Sequence, residues 1–509
     1  MKKKKKFLFN TAILTTTTLI LKSIGMFFRV YLSNKIGAEG MGLYQLIISV
    51  YMLASTFASS GICTAVTRLC SDEMVCGNKK SVLSVVKKSA LLSAGVGAFL
   101  NAIVFFGAPI ISSVFIEDTR ATDAIKILSF SLVPMGVCSA LKGYFMSRRN
   151  TSTPSFSSIL EQIVRIVLIM LLFSKNSQCS VQKACFYVLL ADTLAETTSC
   201  VHMAIETAKD GKKLQMSGGK KAYYTHQTRT ILKIAIPITA GRYLTSLLRT
   251  AESLLIPKTL SDYSKSASSG LETFGMLKGM ALPLIFFPSS FLTSISTLLI
   301  PEISESAALG KTDAIKSDIE RTVNVTFLGA VLAGGCFYAC AVPLSRLLYD
   351  SEQTGVLIKF LAPLVPIMYL EAVIDGILKG LDKQNATLLY VTIDSVLRIL
   401  LIITLVPRFG MVGFMYIMVF SNVLTCSLSV IKLLRIKVLK IDFIKTVITP
   451  ICAIFISLII SQIATVNIKS DISFTLSNIV LISAIYFIIF LITRAVDLSF
   501  ITNKKAKGN

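Results

Sequence analysis

Apolar residues along the chain gather into runs at 8–31, 41–66, 83–107, 124–146, 155–173, 181–205, 231–256, 274–300, 322–348, 355–378, 386–406, 411–434, 445–466 and 473–493, divided by short polar or basic stretches. A helix rises about 1.5 Å per residue, so roughly 20 such residues cross the ~30 Å hydrocarbon core of a bilayer. The pattern predicts an all-α, polytopic membrane protein of about 14 transmembrane helices. Composition points the same way. Of 509 residues, 53% are hydrophobic and 16% charged, with mean hydropathy +0.71; an ordinary soluble domain carries about a quarter charged residues. The spans use up the length and exclude a soluble enzyme. Lys2 to Lys6, ahead of the first run, resemble the charged start of a signal peptide. That run is too long, and no small-residue cleavage site closes it before Arg29, so it predicts a retained anchor.

Net charge is +24, from 52 Lys+Arg against 28 Asp+Glu. With the amino terminus in the cytoplasm, Lys79, Lys80, Lys87, Lys88, Arg148, Arg149, Lys212, Lys213, Lys220, Lys221, Lys432, Arg435, Lys437, Lys440, Lys504 and Lys505 all fall on the inner side. About 32 cations then lie inside and about 11 outside, the asymmetry of a bacterial plasma-membrane protein with both termini cytoplasmic. Topology and contact with anionic membrane lipids account for the excess, so no nucleic-acid partner is expected. Cys63, Cys138, Cys185, Cys336, Cys340, Cys426 and Cys452 sit in apolar runs, no CxxC pair occurs, and His202 and His226 lack ligand spacing. Neither a metal site nor a cofactor is expected.

The chain repeats itself once. Lys22 to Arg29 matches Arg242 to Arg249 at an offset of 220, with cations at both ends of each segment. Leu132-Val133-Pro134 matches Leu364-Val365-Pro366 at 232, Glu161/Arg165 matches Asp394/Arg398 at 233, and Leu141-Lys142-Gly143 matches Leu378-Lys379-Gly380 at 237. A longer polar loop, Lys258 to Gly270 against Ser33 to Gly40, explains the change of offset. The repeat predicts an N-terminal lobe at 1–206 (helices 1–6), a cytoplasmic linker at 207–230, and a C-terminal lobe at 231–440 (helices 7–12). Helices 13 and 14 and a basic tail follow at 441–509. An even number of spans sets the two lobes the same way up, as parallel repeats about an axis along the membrane normal. That arrangement predicts a transporter, with a midplane cavity between lobes that opens to each side in turn.

Cations also stand within or at the edge of spans: Lys22, Arg29, Lys142, Arg165, Lys233, Arg242, Arg249, Lys278 and Arg398. Each costs roughly 2.5 to 3.5 kcal/mol at a helix centre, so together they face protein or water. Glu161 with Arg165, and Asp394 with Arg398, place the acid four residues before the base and read as structural ion pairs. Glu252 follows Arg249 by three and either holds that guanidinium or acts as a coupling carboxylate. Lys22, Arg29, Arg242 and Lys278 have no acidic residue at helical spacing in their own spans. With Arg249 they form a candidate anion site, because guanidinium forks suit a diphosphate. Helix 8, interrupted by Pro283 and Pro288 with Gly275 and Gly279 nearby, is expected to kink and line the cavity.

Ile36-Gly-Ala-Glu-Gly-Met-Gly-Leu-Tyr-Gln-Leu46, Val50-Tyr-Met-Leu53, the Thr56 to Arg68 stretch, Pro301-Glu-Ile-Ser-Glu305 and Leu378-Lys-Gly-Leu-Asp-Lys-Gln-Asn385 together resemble the stage V sporulation protein B family. That family is part of a superfamily of polysaccharide and lipid-linked oligosaccharide exporters, which also holds the lipid II flippases and, further off, multidrug antiporters. The resemblance implies a flippase moving an undecaprenyl-diphosphate-linked sugar or peptidoglycan precursor to the outer leaflet, during cell-wall or spore-cortex synthesis. It implies membrane lipids and cell-wall synthesis enzymes as neighbours, a head-group contact for Arg29, and a groove for the polyprenyl tail on helices 13 and 14. The lipid II flippases carry charges in helix 2, whereas Met41 to Val66 has none.

A multidrug antiporter of the same fold wants unpaired carboxylates for cationic drugs, and here cations predominate. A membrane transferase needs a catalytic pair, and Asp72/Glu73 and Glu117/Asp118 have no supporting motif. A non-transporting assembly partner for wall enzymes has no use for a charged cavity.

Overall fold

The computed structural model describes residues 2–175, 180–215, 227–294, 312–436 and 444–493. His226, Lys220, Lys221, Lys437, Lys440, Lys504, Lys505 and the Pro301 to Glu305 segment lie outside the described residues. All regular structure among the described residues is helical: α1 (Lys2–Val75), α2 (Lys79–Ile110), α3 (Thr122–Ser129), α4 (Leu132–Ser147), α5 (Ser152–Lys175), α6 (Val181–Gln215), α7 (Gln227–Ser264), α8 (Ala267–Phe274), α9 (Thr312–Tyr349), α10 (Glu352–Leu361), α11 (Val365–Gly380), α12 (Gln384–Arg435), α13 (Thr449–Thr465) and α14 (Asp471–Thr493). The protein is thus an all-α membrane protein. Among the described residues, eleven helices are long and apolar enough to cross a bilayer, twelve if α3 and α4, bent by 42°, count as one.

The difference from the expected fourteen lies in the two longest helices. From Thr15 onward α1 runs for 61 residues, which at about 1.5 Å per residue is some three bilayer cores. It is broken at Gly37 (φ 71°, ψ 179°), and the 52-residue α12 at Gly410 (φ 59°, ψ −139°). Each glycine falls between two apolar runs read from sequence. A residue with a Cβ resists both conformations. At Gly410 a Cβ would also lie 2.6 Å from the Tyr263 ring. Gly410→Ala is therefore expected to destabilise by about 1 to 3 kcal/mol, read as a lowered melting midpoint in detergent.

The contacts divide the chain into two compact units, one of Met1–Gly279 and Ser395–Met411, the other of Met280–Asp394 and Val412–Asn509. The first is centred on α1, whose Ile62, Val66 and Leu69 pack with Val82 and Val85 of α2, Leu141 and Tyr144 of α4, Met203 of α6 and Ile231 of α7. Helix continues past α8 to Ser294, and small residues bring this α8 run (Ala267–Ser294) close to α1. A Cβ on Gly42 would strike the Leu271 carbonyl, and one on Gly275 the Ala38 carbonyl, the close approach that membrane helices use to gain dispersion contact.

In the second unit, Ile315, Ile319 and Val323 of α9 pack on Ile374, Ile377 and Leu378 of α11 and Leu433 of α12. The last two helices lie on α9 through Val331, Ala453, Ile454, Ile482, Tyr486 and Phe490. Tyr486 Oη donates to the Leu328 carbonyl at 3.0 Å. Between α13 and α14, Ser461 Oγ donates to Asn478 Oδ1 at 2.5 Å and Asn478 Nδ2 to Thr465 Oγ1 at 3.0 Å, and all three side chains are buried. Large apolar side chains elsewhere, such as Phe106 at 80% exposure and Ile492 at 75%, point outward as a lipid-facing surface requires.

Candidate functional site

The first unit holds an open chamber of about 640 Å³ between α1, α4 and α7. Helical periodicity explains its lining. Met52, Thr56, Ser59 and Cys63 follow one another along one face of α1, and Arg242, Ser246, Arg249 and Ser253 along one face of α7. Five of its ten hydroxyls donate to a carbonyl of their own helix, as in Thr56 to Met52 O at 2.6 Å and Ser59 to Ser55 O at 2.8 Å. These give a polar wall from one helix alone, while Ser139, Ser246 and Thr250 bond across to α1 carbonyls. Two guanidiniums enter this space. Arg242 Nη1 donates to the Ser60 carbonyl at 3.2 Å. Arg249 is exposed and has no hydrogen-bond or ion-pair partner among the described residues. No Asp or Glu is among the residues that line the chamber.

The other expected anion-site residues stand elsewhere. Lys22 is exposed and Arg29 half-buried; neither lines the chamber, and neither has a hydrogen-bond or ion-pair partner among the described residues. Arg29 is within electrostatic reach of Tyr44. Lys278 sits 3.7 Å from Glu252, whose Oε1 also accepts from Arg398 Nη1 at 3.2 Å. Glu252 is 6% exposed at its side chain, against 29% for Lys278 and 22% for Arg398. One buried carboxylate therefore ties α7, the α8 run and α12 together. Pro283 has no N–H to offer Gly279, and the chain just before it takes a wide π-helical turn at Gly275–Ala281, which carries Lys278. In the second unit Asp394 accepts from Ser421 Oγ at 2.5 Å.

A second charged cluster lies on α4, α5 and α6. Arg165 Nη2 meets Glu161 at 2.9 Å, its Nε meets Asp192 at 2.6 Å, and its Nη1 donates to Gln162 at 2.7 Å. Tyr44 Oη donates to Asp192 at 3.5 Å. Glu196, one turn beyond Asp192, interacts electrostatically with Lys142 and Glu161. Sequence reasoning missed Asp192 and Glu196 because it searched the spans for cations; two acids four apart in the apolar run 181–205 were the signal.

Residues 7–307 match the family model described as polysaccharide biosynthesis protein. The chain belongs to this family. Stage V sporulation protein B of Bacillus subtilis (strain 168) is 24% identical over 419 residues, 81% of this chain and 80% of that protein. Lipid II flippase MurJ of the same organism is 22% identical over 427 residues, 79% and 77% of the two chains. A solved structure of lipid II flippase MurJ in an inward closed conformation superposes with a TM-score of 0.75 at 13% identity, covering 95% of this chain and 99% of that one. The polysaccharide biosynthesis family member described here thus shares that flippase's fold almost end to end.

Proposed function

We propose that this protein flips an undecaprenyl-diphosphate-linked cell-wall precursor, lipid II-like or a polysaccharide repeat unit, across the bacterial plasma membrane by alternating access. The observation that carries the reading is the chamber, in which two guanidiniums and a row of hydroxyls meet with no carboxylate among them. Guanidinium forks bind diphosphate oxygens and hydroxyls bind sugar. Carried unaided through hydrocarbon, such a head group would lose several kcal/mol per polar group. A multidrug antiporter of this fold, the second reading, wants the opposite charge for organic cations. Loop cations orient the chain with both termini cytoplasmic, and the stage V relative supports a setting in spore-cortex or cell-wall synthesis.

The test is leaflet exchange of a fluorescent undecaprenyl-diphosphate sugar in proteoliposomes, beside uptake of a fluorescent organic cation. The protein is expected to move the lipid and leave the cation. Cation movement with no lipid exchange sinks the proposal in favour of the antiporter; binding of the lipid without exchange favours an assembly role.

A further inference from the structure

The repeat contains one motif that neither the ion pairs nor the chamber has used, Leu141-Lys142-Gly143 of α4 and its copy Leu378-Lys379-Gly380 of α11. In the copy the lysine is answered on its own helix, where Lys379 Nζ meets Asp375, one turn back, at 2.5 Å in an exposed position. One turn back from Lys142, at the same offset of 237, stands Cys138, so the first copy has no local acid. Lys142 is half-buried and makes no hydrogen bond or ion pair among the described residues. Glu161 and Glu196 attract it from beyond contact distance. An ammonium held in a span without direct contact to an anion is costly.

Packing explains where this charge stands. Met135 and Ser139 line the chamber, and Lys142 follows them at spacings of seven and three along the same face of α4. Gly143 lets α4 close on α1, since a Cβ there would lie 2.6 Å from the Cys63 carbonyl. Thr67 Oγ1 donates to Gly143 O at 3.1 Å and Ser139 Oγ to Ser59 O at 2.7 Å, which fixes the approach. Lys142 is thereby within electrostatic reach of the Cys63 thiol, a chamber-lining group that Arg242 reaches from α7. Two cations therefore approach one side chain from two helices.

A diphosphate diester carries two negative charges. Arg249, the other cation lining the chamber, stands seven residues, about 10 Å, further along α7 than Arg242. We propose that Lys142 is a third head-group ligand of the chamber, its ammonium moving past Cys63 to meet the diphosphate that Arg242 holds. A lysine suits the task, because its four-carbon stem is flexible and its three donors rotate. The assignment rests on the flippase reading and adds to it a contact from a helix that carries neither arginine.

Lys142→Met is expected to weaken binding of water-soluble geranyl-diphosphate N-acetylglucosamine about tenfold or more, the loss of one hydrogen bond to a charged group. Lys142→Arg keeps the charge and is expected to retain most of the affinity. A purely structural role, as counter-charge to Glu196, is separated by combining Lys142→Met with Glu196→Gln. That pair removes both charges, so the double variant is expected to melt as the wild type does and still to bind weakly. On the wild-type protein, bound probe is expected to shield Lys142 from reductive methylation, a readout that needs no variant. Wild-type affinity in a folded Lys142→Met protein, recovered binding in the double variant, or methylation that the probe leaves unchanged overturns the assignment. Failure of the wild-type protein to bind the probe instead sinks the anion reading of the chamber, and the flippase reading with it.

Discussion

Glu252→Ala is expected to cost about 3 kcal/mol or more of stability, the lower end of the range for removing one partner from a buried ion pair. The lower end applies because Lys278 and Arg398 keep some access to solvent, at 29% and 22%, while the carboxylate itself is 6% exposed. Without Glu252, Lys278 and Arg398 lose the carboxylate they share, and the tie between α7, the α8 run and α12 is cut. The expected readout is a clear drop in the detergent melting midpoint and in the yield of monodisperse protein. Adding Arg398→Met and Lys278→Met to Glu252→Ala is expected to recover much of the loss, since a well-packed apolar replacement of a buried ion cluster is often neutral. Glu252→Gln separates structure from coupling: it retains an acceptor for Arg398, so a stable but transport-dead Gln variant assigns the carboxylate to the drive. A Glu252→Ala protein with an unchanged melt removes it from the scaffold.

Arg249→Ala is expected to act the other way, on transport and not on folding. The side chain is exposed within the chamber, and its longer-range attraction to Glu252 is backed by the direct contacts of Lys278 and Arg398 with that carboxylate, so its removal leaves no buried charge unpaired. A hydrogen bond to a charged group is worth about 1.5 to 3 kcal/mol, which puts the loss of head-group affinity at roughly 10- to 100-fold. Combining it with Arg242→Ala should deepen the defect beyond either alone. Arg249→Lys is expected to restore only part, because an ammonium keeps the charge and loses the fork. The measurements are binding of a diphosphate sugar and exchange in proteoliposomes, at matched melting midpoints. Wild-type binding by the double variant would move the anion site out of the chamber.

Much of the fold was legible because hydrocarbon imposes a simple rule of length and apolarity on each span. Even the breaks were marked, since Gly37 and Gly410 stand between apolar runs. What the hydropathy did not convey was that the chain stays helical up to and beyond those glycines. Arg242 and Arg249 were legible as a pair because their spacing of two helical turns is a local property. The partner of Lys278 was not, because Glu252 belongs to another helix, and a search within one span finds no acid for it. The same holds for Arg165, which showed its local partner Glu161 in the sequence and hid Asp192 on the next helix. Pairings across helices are set by how faces turn toward one another, which a single sequence does not record.

The buried Ser461, Thr465 and Asn478 cluster bears on how the chain is made. An amide on a solitary span would meet lipid with its donors unmet at a cost of several kcal/mol, whereas beside α13 it is already answered. The two helices are therefore expected to leave the insertion machinery together as a hairpin, α13 waiting at its edge until α14 has been synthesised.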